Sequence, residues 1–460
     1  MAIQTLNPAT EEVEKVFDAL SDDAVDKALD RALHGQSQLA DLGVEKRASL
    51  LAEAAKVLDA NKLAYGRIMT TEMGKPLKQA IAEVEKCAWA CRYYAEHGPR
   101  FMRDERFEVD GMTAYVRHLA LGPILAVMPW NFPLWQVFRF AAPSMIGGNP
   151  GLLKHASNVP QSALVIEDVL REAGFPEGAF QTLLIGSGKV EAILRDRRVR
   201  GATVTGSNPA GSAVAKVCGE MIKPTVLELG GSDAYIVQPS ADLDNAVTQL
   251  VLGRTQNNGQ SCIAAKRFLI HDDIYDTFRE KLAAKFAALT IGDPMEEATD
   301  IGPLAQKQGL SDIVKQVEES LKAGAARVVG AEAVEGPNGG KGYWFAPGLI
   351  EAIPQGSPAY EEEIFGPVGL MFRTTSLNHA LALANANNFG LGSAIFTTDK
   401  GDIETAVEKL EAGATAVNRI VASNPHLPFG GVKESGYGRE LSRDGLMAFV
   451  NRKTVTVSGL

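Results

Sequence analysis

Residues 22–100 carry apolar side chains at helical spacing. Leu50, Leu51, Ala54, Val57 and Leu58 recur on one face, with Glu53 and Lys56 between them. The spacing predicts helices across this stretch. The pattern then changes. FEVDGMTAYVRH (107–118) sets Asp110-Gly111 between two strand-like runs, a two-residue hairpin signal. Such a hairpin, standing apart from any βα pattern, reads as an arm that pairs with another subunit or as a surface ribbon.

From 122 to 237 short apolar runs alternate with helical segments. GPILAVM (122–128), GLLK (151–154), AFQTLLI (179–185) and GATVT (201–205) read as strands. Trp135–Ile146, Gln161–Ala173, Lys189–Leu194 and Ala210–Gly219 read as the helices between and after them. Strands alternating with helices predict a parallel sheet covered on both faces, the architecture that binds dinucleotides at the strand carboxyl ends. A second alternating stretch runs from about 233 to 419. Its predicted strands are AYIVQ (234–238), KRFLI (266–270), ARVVG (326–330), GPVGLMF (366–372), GSAIFT (392–397) and TAVN (415–418). Residues 420–439 are rich in Gly, Pro and Ser and read as loop, and KTVTVSG (453–459) alternates like an edge strand. The fold class expected is α/β, and 460 residues exceed what one core usually supports, so two large domains are expected.

Composition narrows the function. The formal charge is −10 and no basic run appears, which argues against a nucleic-acid partner. The N-terminus MAIQTLNPATEEVEK has no apolar signal core, and no stretch reaches the roughly 18 apolar residues of a membrane span. The expected location is the cytoplasm. Four scattered cysteines fit a reducing compartment. None has zinc spacing, so no metal site is expected; Cys87 and Cys91, four apart, read as two small helix residues.

Four strings remain as candidate chemistry. GSGKVE (186–191) begins like a dinucleotide fingerprint but has Glu191 where the third Gly belongs, so the ordinary motif is absent. VTGSNPAG (204–211) places Gly206 and Ser207 at a helix N-terminus, which suits a phosphate or a plain capped turn equally. LELGGSD (227–233) puts Glu228 in an apolar strand, where a carboxylate either pairs with a base or has a raised pKa suited to general-base work. NNGQSCIAAKRF (257–268) carries a lone Cys262 after a polar loop: a buried structural thiol, or a nucleophile.

VTGS (204–207), LELGG (227–231) and GQSC (259–262), together with PWNFP (129–133), EEIFGPV (362–368) and PFGGVKESGYGRE (428–440), resemble the aldehyde dehydrogenase superfamily, in its order and at roughly its spacing. The resemblance implies two doubly wound parallel-sheet domains plus a β oligomerisation arm. Residues 1–101 and 121–231 would form the cofactor-binding domain and 232–419 the catalytic domain. Residues 102–120 and 440–460 would form the arm, with 420–439 returning to the cofactor-domain side. It also implies a mechanism. Cys262 attacks the aldehyde, the Asn131 amide and the Cys262 backbone N–H hold the oxyanion, and Glu228 activates water to hydrolyse a thioester. Read alone, Asn131 would cap a helix starting near Phe132, a reading the family resemblance outweighs.

The cofactor implied is NADP or NAD, lined by Met128, Pro129, Trp130, Gly206, Ser207, Leu229 and Gly230, with Glu363 on the nicotinamide ribose, Phe365 beside the ring and Lys154 at the adenosine ribose. Many members have Glu where this chain has Ser157. Its absence removes the repulsion of a 2′-phosphate and leans the choice to NADP.

Within the family the chain is most similar to succinate semialdehyde dehydrogenases of the short bacterial type. Arg139 stands where those enzymes bind the substrate carboxylate, Ser423 where they place a Ser, and Trp135 would line the pocket. A second Arg, expected six residues before Cys262, is Gln256 here, and Arg254 lies two residues further back. The expectation is oxidation of succinate semialdehyde by a homodimer or dimer of dimers, without membrane attachment. Alternatives are another semialdehyde such as glutarate semialdehyde, or general aliphatic aldehydes. A non-catalytic relative would be expected to lose Cys262 or Glu228, and an alcohol dehydrogenase to carry zinc spacing or the glycine fingerprint.

Overall fold

The computed structural model of the chain describes residues 2–337 and 339–458. Two helical rods precede the sheets. Asp22–Met73 is capped by Ser21, broken at Gly43 (φ 69°) and closed by Gly74 (φ 77°). Leu77–Phe101 packs along it. The predicted stripe of Leu50, Leu51, Ala54 and Leu58 is buried, and Cys87 and Cys91 face the same core.

A six-stranded sheet runs in the order Gly436–Tyr437, Thr225–Glu228, Gly201–Thr205, Ile124–Met128, Gly151–His155, Phe180–Thr182. Its inner pairings are parallel, and only Gly436–Tyr437 runs antiparallel. These strands read as unbroken apolar runs because helices cover both faces. Register aligns Met128 with His155 and Thr205 with Glu228, so the loops that follow emerge along one carboxyl edge. Any ligand crevice of an open α/β sheet lies there.

A seven-stranded sheet has the order Ala326–Val329, Gly348–Glu351, Val368–Thr374, Arg267–His271, Ala234–Val237, Gly392–Phe396, Ala414–Val417. ARVVG is its antiparallel edge. The chain reaches Arg267–His271 through the loop bearing Cys262, so the two sheets meet around that loop.

The hairpin forms as predicted. Glu105–Val109 and Met112–Ala120 pair across a turn with Gly111 at φ 76°, and Val450–Val457 adds a third strand beside Met112–Ala120. Gly459, the end of the predicted tail strand, lies outside the described residues. Phe107, Val109, Met112 and Leu119 are exposed on this sheet.

Several expectations shift. Ile3–Asn7 and Glu12–Phe17 form an antiparallel pair that the sequence pattern did not announce, because the second strand is almost wholly exposed and alternates weakly. AFQTLLI pairs only over Phe180–Thr182. The 420–439 segment is loop except for Val432–Lys433 and Gly436–Tyr437, two-residue strands too short to leave a period. Among the described residues no helix is long and apolar enough to cross a membrane.

Candidate active site

The loop around Cys262 is built by backbone that few residues tolerate. Asn257, Asn258 and Gly259 take φ of 59°, 55° and 73° in succession. Asn and Gly accept the left-handed region at least strain. Their side chains then fasten the loop. Asn257 Nδ2 donates to the carbonyls of Asn131 (2.7 Å) and Gln260 (2.9 Å), and Asn258 Nδ2 to those of Gly74 and Pro303 (2.9 Å each). A Cβ on Gly259 would come within 2.4 Å of the Gly366 carbonyl carbon. Lys266, fully buried, donates to the carbonyls of Ser261 and Cys262 and pairs with Glu363 at 2.8 Å. The Cys262 backbone N–H meets no acceptor among the described residues. Burial pushes the Cys262 thiol up to about 12, with the Arg139 and Lys266 charges opposing.

Asn131 is 4% exposed, and its Nδ2 donates to the Gln260 carbonyl at 3.0 Å. An amide nitrogen carries two hydrogens, so one remains for a ligand. Gln136 Nε2 donates to Asn131 Oδ1 at 3.1 Å and fixes the amide's direction. The capping alternative fails: the helix is Trp135–Gly147, and the Glu83 carboxylate accepts from the Leu134 and Trp135 N–H groups at 2.9 Å each. Glu83 is itself paired with buried Lys75.

Glu228 ends its strand and is 1% exposed. Neither carboxylate oxygen makes a well-formed hydrogen bond. Burial, and then repulsion from Glu440, hold its pKa well above the usual carboxylate range, with Arg139 opposing. Glu440 pairs with Arg139 Nε at 2.7 Å, and Arg139 also donates to Thr205 Oγ1 at 3.3 Å. Glu228 therefore sits behind the cavity walls, near enough for its charge to raise the Cys262 thiol further.

Two cavities meet at Cys262. The first, about 230 Å³, runs along the carboxyl edge of the six-stranded sheet. Pro129, Trp130, Gly206, Ser207, Leu229, Gly230, Glu363 and Phe365 line it, all of them expected, together with Asn131, Gln136 and Thr205. Trp130 and Phe365 meet edge to face at 5.8 Å. The helix Asn208–Glu220 begins at this cavity with no side-chain cap. Met128 is buried at the end of its strand, and Lys154 and Ser157 stand at the end of the next one; none of these three lines the cavity. GSGKVE forms a 3₁₀ turn and short helix away from it.

The second cavity, about 130 Å³, opens into an outer vestibule of about 540 Å³. Arg139, Trp135, Gln256 and Ser423 all line the inner cavity, as expected. Arg254 does not. It is fully buried and donates to the carbonyls of Gly259 and Ile364. Sequence reasoning missed Lys86, which lines both inner cavity and vestibule. It comes from the helical rod Leu77–Phe101, where nothing but a helical pattern marks it. Lys75, Glu83, Lys266 and Glu440 were missed as well. Glu440 meets Arg139 and Lys266 meets Glu363 only in the folded chain, and Glu83 reaches the Leu134 and Trp135 N–H groups across the fold. The sequence-near Lys75–Glu83 pair carries no mark of its burial.

Comparison with known proteins adds the following. The aldehyde dehydrogenase family profile matches residues 1–455. A Mycobacterium tuberculosis protein named succinate-semialdehyde dehydrogenase (NADP+) 1 is 50% identical over 461 residues, covering 100% of both chains. A Mycobacterium avium succinate-semialdehyde dehydrogenase (NADP+) is also 50% identical, over 99% of this chain and 97% of its own. A crystal structure of succinic semialdehyde dehydrogenase from Streptococcus pyogenes, in complex with NADP+, superposes with a TM-score of 0.96 at 38% identity, covering 100% of both chains.

Proposed function

The chain belongs to the aldehyde dehydrogenase family, and we propose that it oxidises succinate semialdehyde to succinate with NADP as the preferred hydride acceptor. The observation that carries the substrate is the inner cavity. Its walls hold two cations, Lys86 and Arg139, and no carboxylate, and it ends on Cys262. Such a cavity favours an aldehyde whose far end is an anion. The relatives named above support the same reading.

The residues of the first cavity fit a dinucleotide. The uncapped helix start behind Gly206 and Ser207 offers free N–H groups to a phosphate. Glu363, whose Oε1 is held by Lys266 at 2.8 Å, turns its other carboxylate oxygen to ribose hydroxyls. Ser157 with Lys154 at the next strand end leaves room and charge for a 2′-phosphate. When bound there, the nicotinamide supplies the acceptor for one hydride.

The chain's own residues do the remaining work. Cys262, losing its thiol proton, forms a bond from sulfur to the aldehyde carbon. The second Asn131 N–H and the unpaired Cys262 N–H hold the resulting oxyanion. Loss of hydride leaves a thioester on Cys262. Glu228, swung from its site beside Gly430, accepts a proton from water, and the hydroxyl adds to the thioester carbon. The acid leaves and the thiol is restored. In sum, aldehyde, water and oxidised cofactor become acid, reduced cofactor and a proton.

In the same reading the six-stranded sheet with residues 1–101 carries the cofactor, and 232–419 carries Cys262. The three-stranded arm joins subunits through its exposed apolar residues into a homodimer or dimer of dimers, in the cytoplasm. The test is steady-state oxidation of succinate semialdehyde, glutarate semialdehyde and butanal, with NADP and NAD. We expect kcat/KM to be highest for succinate semialdehyde with NADP. Equal kcat/KM for butanal overturns the substrate.

A further inference from the structure

The inner cavity contains one cation whose charge is already engaged and one whose charge is not. Arg139 pairs with Glu440 at 2.7 Å, and its guanidinium lies 4.8 Å from the centre of the Phe429 ring. Most of its field is spent on neutralising a buried acid. Lys86 differs. Among the described residues no carboxylate lies within ion-pair distance of its Nζ. Of the acids beside it on the helix, Glu85 pairs with Lys62 at 2.5 Å, and Glu83, one turn back, is saturated by Lys75 and by the Leu134 and Trp135 N–H groups.

Lys86 Nζ instead donates to Ser423 Oγ at 3.0 Å and stands 4.4 Å over the Trp135 ring. Trp135 Nε1 donates to the same Ser423 Oγ at 2.9 Å. A serine hydroxyl accepts two hydrogen bonds and donates one. With both acceptor positions filled, Ser423 retains only its proton, so it presents a donor and nothing else. The ammonium has two further N–H groups. Three donors and a positive charge thus converge where the inner cavity joins the vestibule, with Cys262 at the other end. Gln256 lines both spaces as well, so the neutral residue at that position lies beside the Lys86 charge.

We infer that Lys86, with the Ser423 hydroxyl that it and Trp135 hold as a pure donor, binds the carboxylate of the substrate and so determines specificity for a semialdehyde. The charge missing at Gln256 is supplied from the helical rod Leu77–Phe101 instead. This rests on the substrate reading above. Burial and the nearby Arg139 charge push the Lys86 ammonium down to about 8, a strain that an anion beside it relieves.

The experiment compares wild type, Lys86→Met, Lys86→Gln and Lys86→Arg, with NADP saturating, on succinate semialdehyde and on butanal. The quantity read is the ratio of kcat/KM between the two substrates. Lys86→Met is expected to lower this ratio about 30-fold or more, mainly through KM for the semialdehyde, as loss of one charge-assisted contact implies. Lys86→Gln, which keeps a donor to Ser423, should lose a similar factor because the charge is gone. Lys86→Arg should recover most of it. A ratio unchanged in both Lys86→Met and Lys86→Gln overturns the assignment. So does an equal fall in kcat for both substrates with KM unmoved, the mark of a residue that only supports Trp135. A wild type with no preference for the semialdehyde overturns the substrate reading, and this one with it; a wild-type preference that survives in both neutral variants overturns Lys86 alone.

Discussion

Arg139→Leu is expected to destabilise the protein in a pH-dependent way, because Arg139 neutralises a buried acid as well as facing the cavity. Arg139 and Glu440 are 3% and 4% exposed and 2.7 Å apart. At an effective dielectric of ~20, opposite unit charges at that separation attract by about 6 kcal/mol. Desolvation offsets part of this, and removing one partner of such a pair typically costs about 3–5 kcal/mol. The variant leaves Glu440 facing Glu228, another buried carboxylate, and its way out is to take up a proton. Burial already raises the Glu440 pKa, and Arg139 opposes that rise. Without Arg139 the folded-state pKa climbs further above the unfolded value. The folded state then binds more protons than the unfolded one, so stability falls as pH rises above the unfolded pKa, about 4.3. We expect a loss of about 3 kcal/mol at pH 8, shrinking to about 1 kcal/mol near pH 5.5. Urea unfolding followed by tryptophan fluorescence, at fixed protein concentration, measures both. Arg139→Leu combined with Glu440→Leu should recover at least about 2 kcal/mol relative to the sum of the singles. A loss under about 1 kcal/mol at pH 8, equal losses at both pH values, or additive singles would refute the reasoning.

Three further outcomes follow from the site. Since burial pushes the Cys262 thiol up to about 12, iodoacetamide inactivation of the cofactor-free enzyme should keep rising about tenfold per pH unit from 7 to 9; a plateau below pH 9 contradicts it. Ser157→Glu should shift the NADP-to-NAD ratio of kcat/KM toward NAD by roughly 30- to 100-fold through like-charge repulsion, and an unchanged ratio removes Ser157 from the 2′-phosphate site. Gly259→Ala forces a side chain to φ 73° and into the Gly366 backbone, so thermal unfolding should fall by several degrees and activity with it; near-wild-type values for both would show that the loop is not held as described.

Much of the architecture was legible because it is local. The period of Leu50, Leu51, Ala54 and Leu58 marks one buried helical face whatever packs against it. ILAVM and GATVT read as buried strands because both faces of a parallel sheet are apolar, and Asp110-Gly111 announces its own turn. Short elements were not legible. Gly436–Tyr437 and Val432–Lys433 are strands only because a neighbour supplies the pairing.

The site divides along the same line. Cys262, Asn131 and the glycines around the cofactor cleft each had a plain structural reading taken singly, and it was the order and spacing of their strings, shared with the family, that singled them out. Glu228, in an apolar strand, stood out by residue type. Tertiary structure alone decided the partners. Glu440 lies 301 residues from Arg139, Glu83 caps a helix that begins 52 residues later, and Lys86 meets Ser423 across 337 residues. A single Lys or Glu in a helical pattern carries no mark of what it will face. A charge's role is set by the field and solvent exclusion where it comes to rest, and those exist only once the helical rod, the two sheets and the returning loop have packed around Cys262.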